Sequence, residues 1–283
     1  MAGWDDWIGR EDVRHDHIDP AAVARWLATL DRAAPADGSV PQAYHWCLGL
    51  PDAATATLGA DGHPVREASD HSFLPPIPLP RRMWAASKVE FLRSLRPGQS
   101  VVRSSRIAAI TEKQGGSGKL VFAEVAHETR GDGELAVRET QSIVFREPAP
   151  AAAPPAPPLP GDGSFDPSLW DAHRMIVPSE ALLFRYSALT FNSHRIHYDL
   201  PYACQQEGYR GLVVHGPLTA TLLLGLAQQR FGDNAVRRFA FRGTSPAICG
   251  EELHLTLRGS GDAIELGAFA ADGRQVMAAT ATV

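Results

Sequence analysis

The chain has 283 residues, with 27 lysines and arginines against 32 aspartates and glutamates, a formal net charge of −5. Hydrophobic residues at 44% and charged residues at 21% describe an ordinary globular chain, long enough to bury the core of one large domain or two smaller ones. This excludes global disorder, collagen and a disulfide-stapled miniature, and the mild acidity excludes the broad positive field of a non-specific nucleic-acid binder.

The opening stretch, residues 1–10, is acidic and lacks the apolar centre of a secretory signal. A first helix is expected over Pro20–Leu30, with Asp19 as its cap and Pro20 in its first turn. A second, short one includes Tyr44–Leu48, and a proline-rich loop follows at Leu74–Pro80. Ser100–Ile110, Leu120–Glu128 and Leu135–Arg146 read as strands of an antiparallel meander, separated by glycine-rich turns.

From Pro148 to Pro160 the chain carries seven prolines and no charge. Such a run is neither helix nor central strand, and reads as a stiff tether. It divides the chain into a first half, 1–147, a linker, 148–160, and a second half, 161–283.

The second half repeats the order of the first. Ser179 caps a helix over Glu180–Leu189, a short helix follows at Pro201–Gln206, and Gly216–Phe231 is apolar on all sides, the pattern of a buried helix. Strands are expected at Val236–Arg242, Glu251–Arg258, Ala263–Ala270 and Gln275–Val283. Helices followed by an antiparallel sheet define an α+β unit, here duplicated. The apolar stretch 211–227 is too short to span a membrane comfortably. Cys47, Cys204 and Cys249 have no metal-ligand spacing, and their odd number argues against a disulfide framework. A cytoplasmic protein is expected, with no membrane or nucleic-acid partner.

The residues that carry chemistry concentrate between Phe184 and Leu224. Asn192, His194, Arg195, His197, Tyr198 and Asp199 crowd together, and His215-Gly216-Pro217 opens the apolar helix. Asp199 before Pro201 reads first as a helix cap, and His194 and His197 taken singly read as well as structural histidines as functional ones. Together, so many polar groups beside the most apolar helix are expensive to bury without purpose. A metal is not expected: Arg195 would set a permanent charge beside the ion, and no HExxH pattern or cysteine pair is present. No nucleophile elbow and no glycine-rich nucleotide loop occurs either. General acid–base chemistry fits better. His197 titrates near neutrality, the Asn192 amide holds a water, and the Gly216 N–H, at the positive end of a helix, stabilises a developing enolate oxygen.

These residues resemble the MaoC-like hydratase family of the hotdog fold. Its signature D-x-N-P-x-H falls on Asn192-Ser-His194-Arg195-Ile-His197, with His197 on the catalytic histidine and Asn192 on the catalytic aspartate. The stretch Phe184–Asp199, FRYSALTFNSHRIHYD, is similar to the branch of hydroxyacyl-thioester dehydratase type 2 and the mesaconyl-C4-CoA and itaconyl-CoA hydratases. His45-Trp46 and Leu79–Trp84 extend the resemblance into the first half. It implies a double hotdog, each unit a sheet wrapped around a central helix, with chemistry in the second half and acyl-pocket shaping in the first. It implies a hydro-lyase acting on an α,β-unsaturated acyl-CoA, a branched C5 dicarboxylyl unit being the favoured acyl group. No cofactor is implied, CoA being part of the substrate, and a homodimer is a further expectation. Beside His197, Asn192 and Gly216, the residues expected to contact substrate are His194, Arg195, Tyr198, His215, Arg81 and Arg82. The two neighbouring arginines read equally as solvated surface charges and as a clamp for a phosphate or carboxylate. The alternatives are a fatty-acid-type 3-hydroxyacyl-thioester dehydratase, an acyl-CoA thioesterase and a non-catalytic acyl-thioester binder.

Overall fold

The computed structural model describes residues 3–67, 69, 72–115, 118–148 and 153–283, so residues 149–152 of the proline-rich tether lie outside the described residues. The first half runs β1 (Glu11–His17), α1 (Pro20–Thr29), β2 (Arg81–Phe91), β3 (Ser100–Gly115), β4 (Gly118–Gly131) and β5 (Glu134–Arg146). The second runs β6 (Ala172–Ile176), α2 (Glu180–Leu189), α3 (Leu200–Gln205), α4 (Gly216–Phe231), β7 (Arg238–Gly243), β8 (Leu253–Ser260), β9 (Ala263–Ala270) and β10 (Gln275–Thr282). The caps are those the residue types dictate. Asp19 accepts from the Ala21 and Ala22 N–H groups, Ser179 from Leu182, and Asp199 from Tyr202.

All ten strands form one sheet in the order β1-β3-β4-β5-β2-β7-β10-β9-β8-β6. Every pairing is antiparallel. Read outward from its centre, β2-β5-β4-β3-β1 mirrors β7-β10-β9-β8-β6. The halves are therefore related by a pseudo-twofold between β2 and β7, paired from Ala86↔Arg242 to Glu90↔Arg238.

Three strands were not legible from periodicity. β1 and β6 are edge strands with no buried residue, so no apolar alternation marks them, and their charges suit an unpaired edge. β2 begins with two arginines, directly after the proline-rich loop.

The halves differ in what fills the sheet. In the second, α4 lies against β2, β6, β8, β9 and β10, and its residues Leu218–Ala227 are all buried. Such burial supplies about 1.5–3 kcal/mol for each leucine side chain. In the first, the described residues between α1 and β2 hold only two 3-10 turns, Tyr44–Cys47 and Thr55–Thr57. Eight prolines between residues 31 and 80 prevent a second long helix there. Aromatic rings take its volume: Trp46 meets Trp84 and Phe241 edge-on, with centroids 5.5 and 5.9 Å apart. One apolar core runs through both halves, from Trp26 and Trp46 to Leu223 and Phe239. The described part of the tether lies on the loop after α3, where the Ala156 N–H donates to the Gly208 carbonyl and the Ala156 carbonyl accepts from the Arg210 N–H. Among the described residues no helix is long and apolar enough to cross a membrane.

Candidate active site

α2 ends at Leu189, and the chain turns through Phe191, whose backbone is left-handed at φ 47°. Asn192 Oδ1 then accepts from the His194 N–H at 3.0 Å, closing a small turn that leads into the 3-10 turn Arg195–His197. His197 is buried, and its Nδ1 lies 2.7 Å from the Val213 carbonyl oxygen. A carbonyl only accepts, so Nδ1 carries the hydrogen and Nε2 keeps its lone pair. Val213 N–H donates to the Ile196 carbonyl in return. That exchange brings His215, the residue capping α4, beneath the motif. The His197 and His215 rings stack with centroids 3.6 Å apart. His215 Nε2 pairs with Ser187 Oγ at 2.8 Å, and its Nδ1 is buried without a partner among the described residues. Gly216 is the first residue of α4, where a backbone N–H has no intrahelical acceptor.

The first half reaches into this site through a loop. Arg195 N–H donates to the Asp61 carbonyl at 2.9 Å, Ser193 Oγ to the Gly62 carbonyl at 2.5 Å, and Arg195 Nη1 to the Ala60 carbonyl at 2.9 Å. Gly62 is at φ +86°, and a Cβ there would overlap the Ser193 carbonyl. Only glycine fits. The docked loop places His63 against His194, with ring centroids 4.2 Å apart, and His194 meets His197 edge-on at 5.5 Å. Asp61 Oδ2 lies 2.9 Å from His63 Nδ1, and Oδ1 accepts from the His63 N–H. The site thus holds four histidines in a row, backed by one carboxylate. Sequence reasoning missed Asp61 and His63. Their signal is faint, a D-G-H triplet in a loop, far from the motif along the chain.

Burial sets the electrostatics. It pushes His197 down to about 4, with His63 lowering it further and the Val213 hydrogen bond opposing. Burial takes His194 to about 2, helped by His63 and His197, and also lowers His215 and His63. All four imidazoles are neutral near pH 7. Asp61 is raised by burial, but the side-chain and backbone hydrogen bonds from His63 hold it well below the usual carboxylate range.

The arginines separate. Arg195 gives Nε and Nη2 to Asp199 at 3.0 and 2.7 Å and stacks on Tyr202, so its fork ties the motif to α3. Arg81 is buried in an ion pair with Glu207 at 2.9 Å, joining β2 to the loop after α3. Arg82 has no hydrogen bond or ion pair among the described residues. Burial lowers it to about 10, with Arg66 acting in the same direction and Asp61 opposing. Tyr198 is half exposed. A cavity of about 10 Å³, lined by Asp61, Arg81, Arg82, His194 and Glu207 among others, has room for about one water. A larger cavity of about 320 Å³, around Gln42, His45, Phe91 and Arg237, contains none of these residues. Asp61, His63 and His194 place one ligand atom each within 4.8 Å of one another. The Asp61 carboxylate is spent on His63, however, and the Arg82 charge opposes a dication.

A mirrored ten-stranded sheet around one buried helix, with a histidine motif at that helix's start, defines a double-hotdog protein. The fold matches a Mycobacterium tuberculosis protein described as having a double hotdog fold (TM-score 0.58, 12% identity, 97% of this chain and 95% of that one). It also matches a MaoC-like dehydratase of Phytophthora capsici (TM-score 0.70, 15% identity, 97% and 96%). The family model for hydroxyacyl-thioester dehydratase type 2 matches residues 43–249, and the chain belongs to that family. It is 43% identical to the mesaconyl-C4-CoA hydratase of Chloroflexus aurantiacus over 99% of this chain and 97% of that protein.

Proposed function

We propose that this chain is a hydro-lyase that adds water reversibly to the double bond of an α,β-unsaturated acyl-CoA. We further propose a branched C5 dicarboxylyl acyl group, mesaconyl-C4-CoA or itaconyl-CoA. The observation that carries the reading is the His197 tautomer: the Val213 carbonyl holds Nδ1–H and leaves a buried Nε2 lone pair as base, close to the start of α4. The whole-chain similarity to a mesaconyl-C4-CoA hydratase supports both the reaction and the dicarboxylyl choice.

In this mechanism His197 Nε2 takes a proton from water as the oxygen bonds to Cβ. The π electrons move onto the thioester, where the Gly216 N–H and the α4 dipole stabilise the enolate oxygen. Cα then takes up the proton. Asn192 orients the water through its NH2, its carbonyl oxygen being used by His194 N–H. The buried His215 holds the His197 ring by stacking. Arg82, whose guanidinium has no hydrogen bond or ion pair among the described residues, holds the substrate's free carboxylate. The reaction needs no cofactor beyond the CoA of the substrate, and the protein is assigned to the cytoplasm, as a monomer or homodimer.

The test is a panel of crotonyl, mesaconyl, itaconyl and saturated thioesters, followed for loss of the double bond and for free thiol. Hydration without thiol release is expected. Thiol release alone would make the protein a thioesterase, and tight binding without turnover a non-catalytic binder. His197→Ala is expected to lower kcat by about 10²–10⁴-fold, and unchanged turnover in that variant sinks the mechanism.

A further inference from the structure

Hydration moves a proton from water to Cα, and the position expected to supply a second titrating group is held by Asn192, an amide. The structure brings a carboxylate to the site from elsewhere. Asp61 reaches it through His63 and His194, on a loop of the first half locked to the motif by three hydrogen bonds and by the absence of a Cβ at Gly62.

The polarity of this chain is set by its end. A carboxylate only accepts, so His63 Nδ1 carries the hydrogen toward Asp61 and Nε2 offers a lone pair. The His63 ring packs against His194 without a direct hydrogen bond, the two centroids 4.2 Å apart. The ligand atoms of Asp61, His63 and His194 lie within 4.8 Å of one another, and the small cavity bordering Asp61 and His194 has room for one bridging water.

We propose that Asp61, held in place by His63, is a positioning residue that stabilises the positive charge on His194 as it relays the water proton from His197 to Cα. The inference rests on the hydratase reading above. The water O–H bond breaks toward His197 Nε2 while oxygen bonds to Cβ. The proton passes to His194, where Asp61 opposes the imidazolium charge, and from there to Cα. Every imidazole returns to its neutral form, and the net change is one water added. His63, His197, His215 and Arg82 oppose a positive charge on His194, and Arg66 and Arg82 oppose one on His63. Among the described residues Asp61 is the only anion of the groups that set the His194 charge.

The test is Asp61→Asn in the full chain, which keeps both the backbone carbonyl used by Arg195 and a side-chain acceptor for the His63 N–H. A 10–100-fold fall in kcat is expected, with KM changed less than threefold. The acid limb of the kcat profile should move to lower pH, because losing the carboxylate makes the imidazolium harder to form. His63→Gln, which removes the ring that holds the Asp61 carboxylate, should also lower kcat with KM changed less than threefold, and imidazole in solution should restore part of the activity of His63→Ala. Unchanged kcat and pH limb in Asp61→Asn, or a loss confined to KM, overturns the relay while leaving the hydratase reading intact. A wild-type protein that hydrates none of the enoyl thioesters overturns both.

Discussion

At the residue scale, four neutral imidazoles packed in a row make the site sensitive to acid. His197 has an ordinary value of 6.5 when unfolded and about 4 when folded, chiefly through burial. Its folded pKa is lowered, so the unfolded chain binds the extra proton between these values. Stability is present above pH 6.5 and is lost as pH falls toward 4. The melting temperature is expected to drop steeply across that window, and less steeply in His197→Gln. Identical profiles would contradict the burial argument. Arg82 belongs to the same scale. Its lack of a partner among the described residues separates it from Arg81, which is committed to Glu207. Arg82→Gln is expected to raise KM for mesaconyl or itaconyl thioesters at least tenfold and to leave crotonyl thioester within threefold, a comparison that steady-state kinetics reads directly. His197, His215 and Gly216 were legible because histidines beside an apolar helix start are unusual. The division between Arg81 and Arg82 was not legible, because adjacent arginines look alike until their partners are known. Arg195, expected at the substrate, turns its fork on Asp199 instead.

At the element scale, the helices were readable wherever a cap and an apolar pattern coincided, as at Asp19, Ser179 and the start of α4. The edge strands β1 and β6 were unreadable because no buried face alternates along them. The loop around Gly62 was silent for another reason: its fold depends on a surface that the sequence places about 130 residues away. Its glycine makes a sharp prediction. Gly62→Ala combines a left-handed φ with a clash against Ser193, so the loop must shift. The expected result is a fall in kcat at least as large as that of His63→Gln, with a melting temperature lowered by a few degrees, measured by turnover and thermal melts on the same preparation. A Gly62→Ala protein with full activity would show that the loop does not support the site.

At the scale of the whole molecule, the duplicated order of elements was visible in the sequence, and the mirrored strand order around β2 and β7 carries it into three dimensions. What could not be read was that the halves share one core. Trp26 and Trp46 from the first half belong to the same apolar cluster as Leu223 and Phe239 from the second, and the buried Arg81–Glu207 pair crosses between them. Removing one partner of such a pair strands a buried charge and costs about 3–5 kcal/mol. Despite the proline tether, unfolding is expected to be one cooperative transition, with calorimetric and van't Hoff enthalpies in agreement. Two separated transitions would mean that the halves are independent.

The docking of the 59–63 loop onto Ser193 and Arg195 also bears on ancestry. A duplicated gene normally leaves each copy free to drift or to be replaced by its counterpart from a relative. Here the copy without the histidine motif holds the backbone of the copy that has it, through a contact too close for any side chain. Recombination that exchanges one half alone should therefore yield folded but crippled chimeras unless Gly62 and the 193–195 segment travel together.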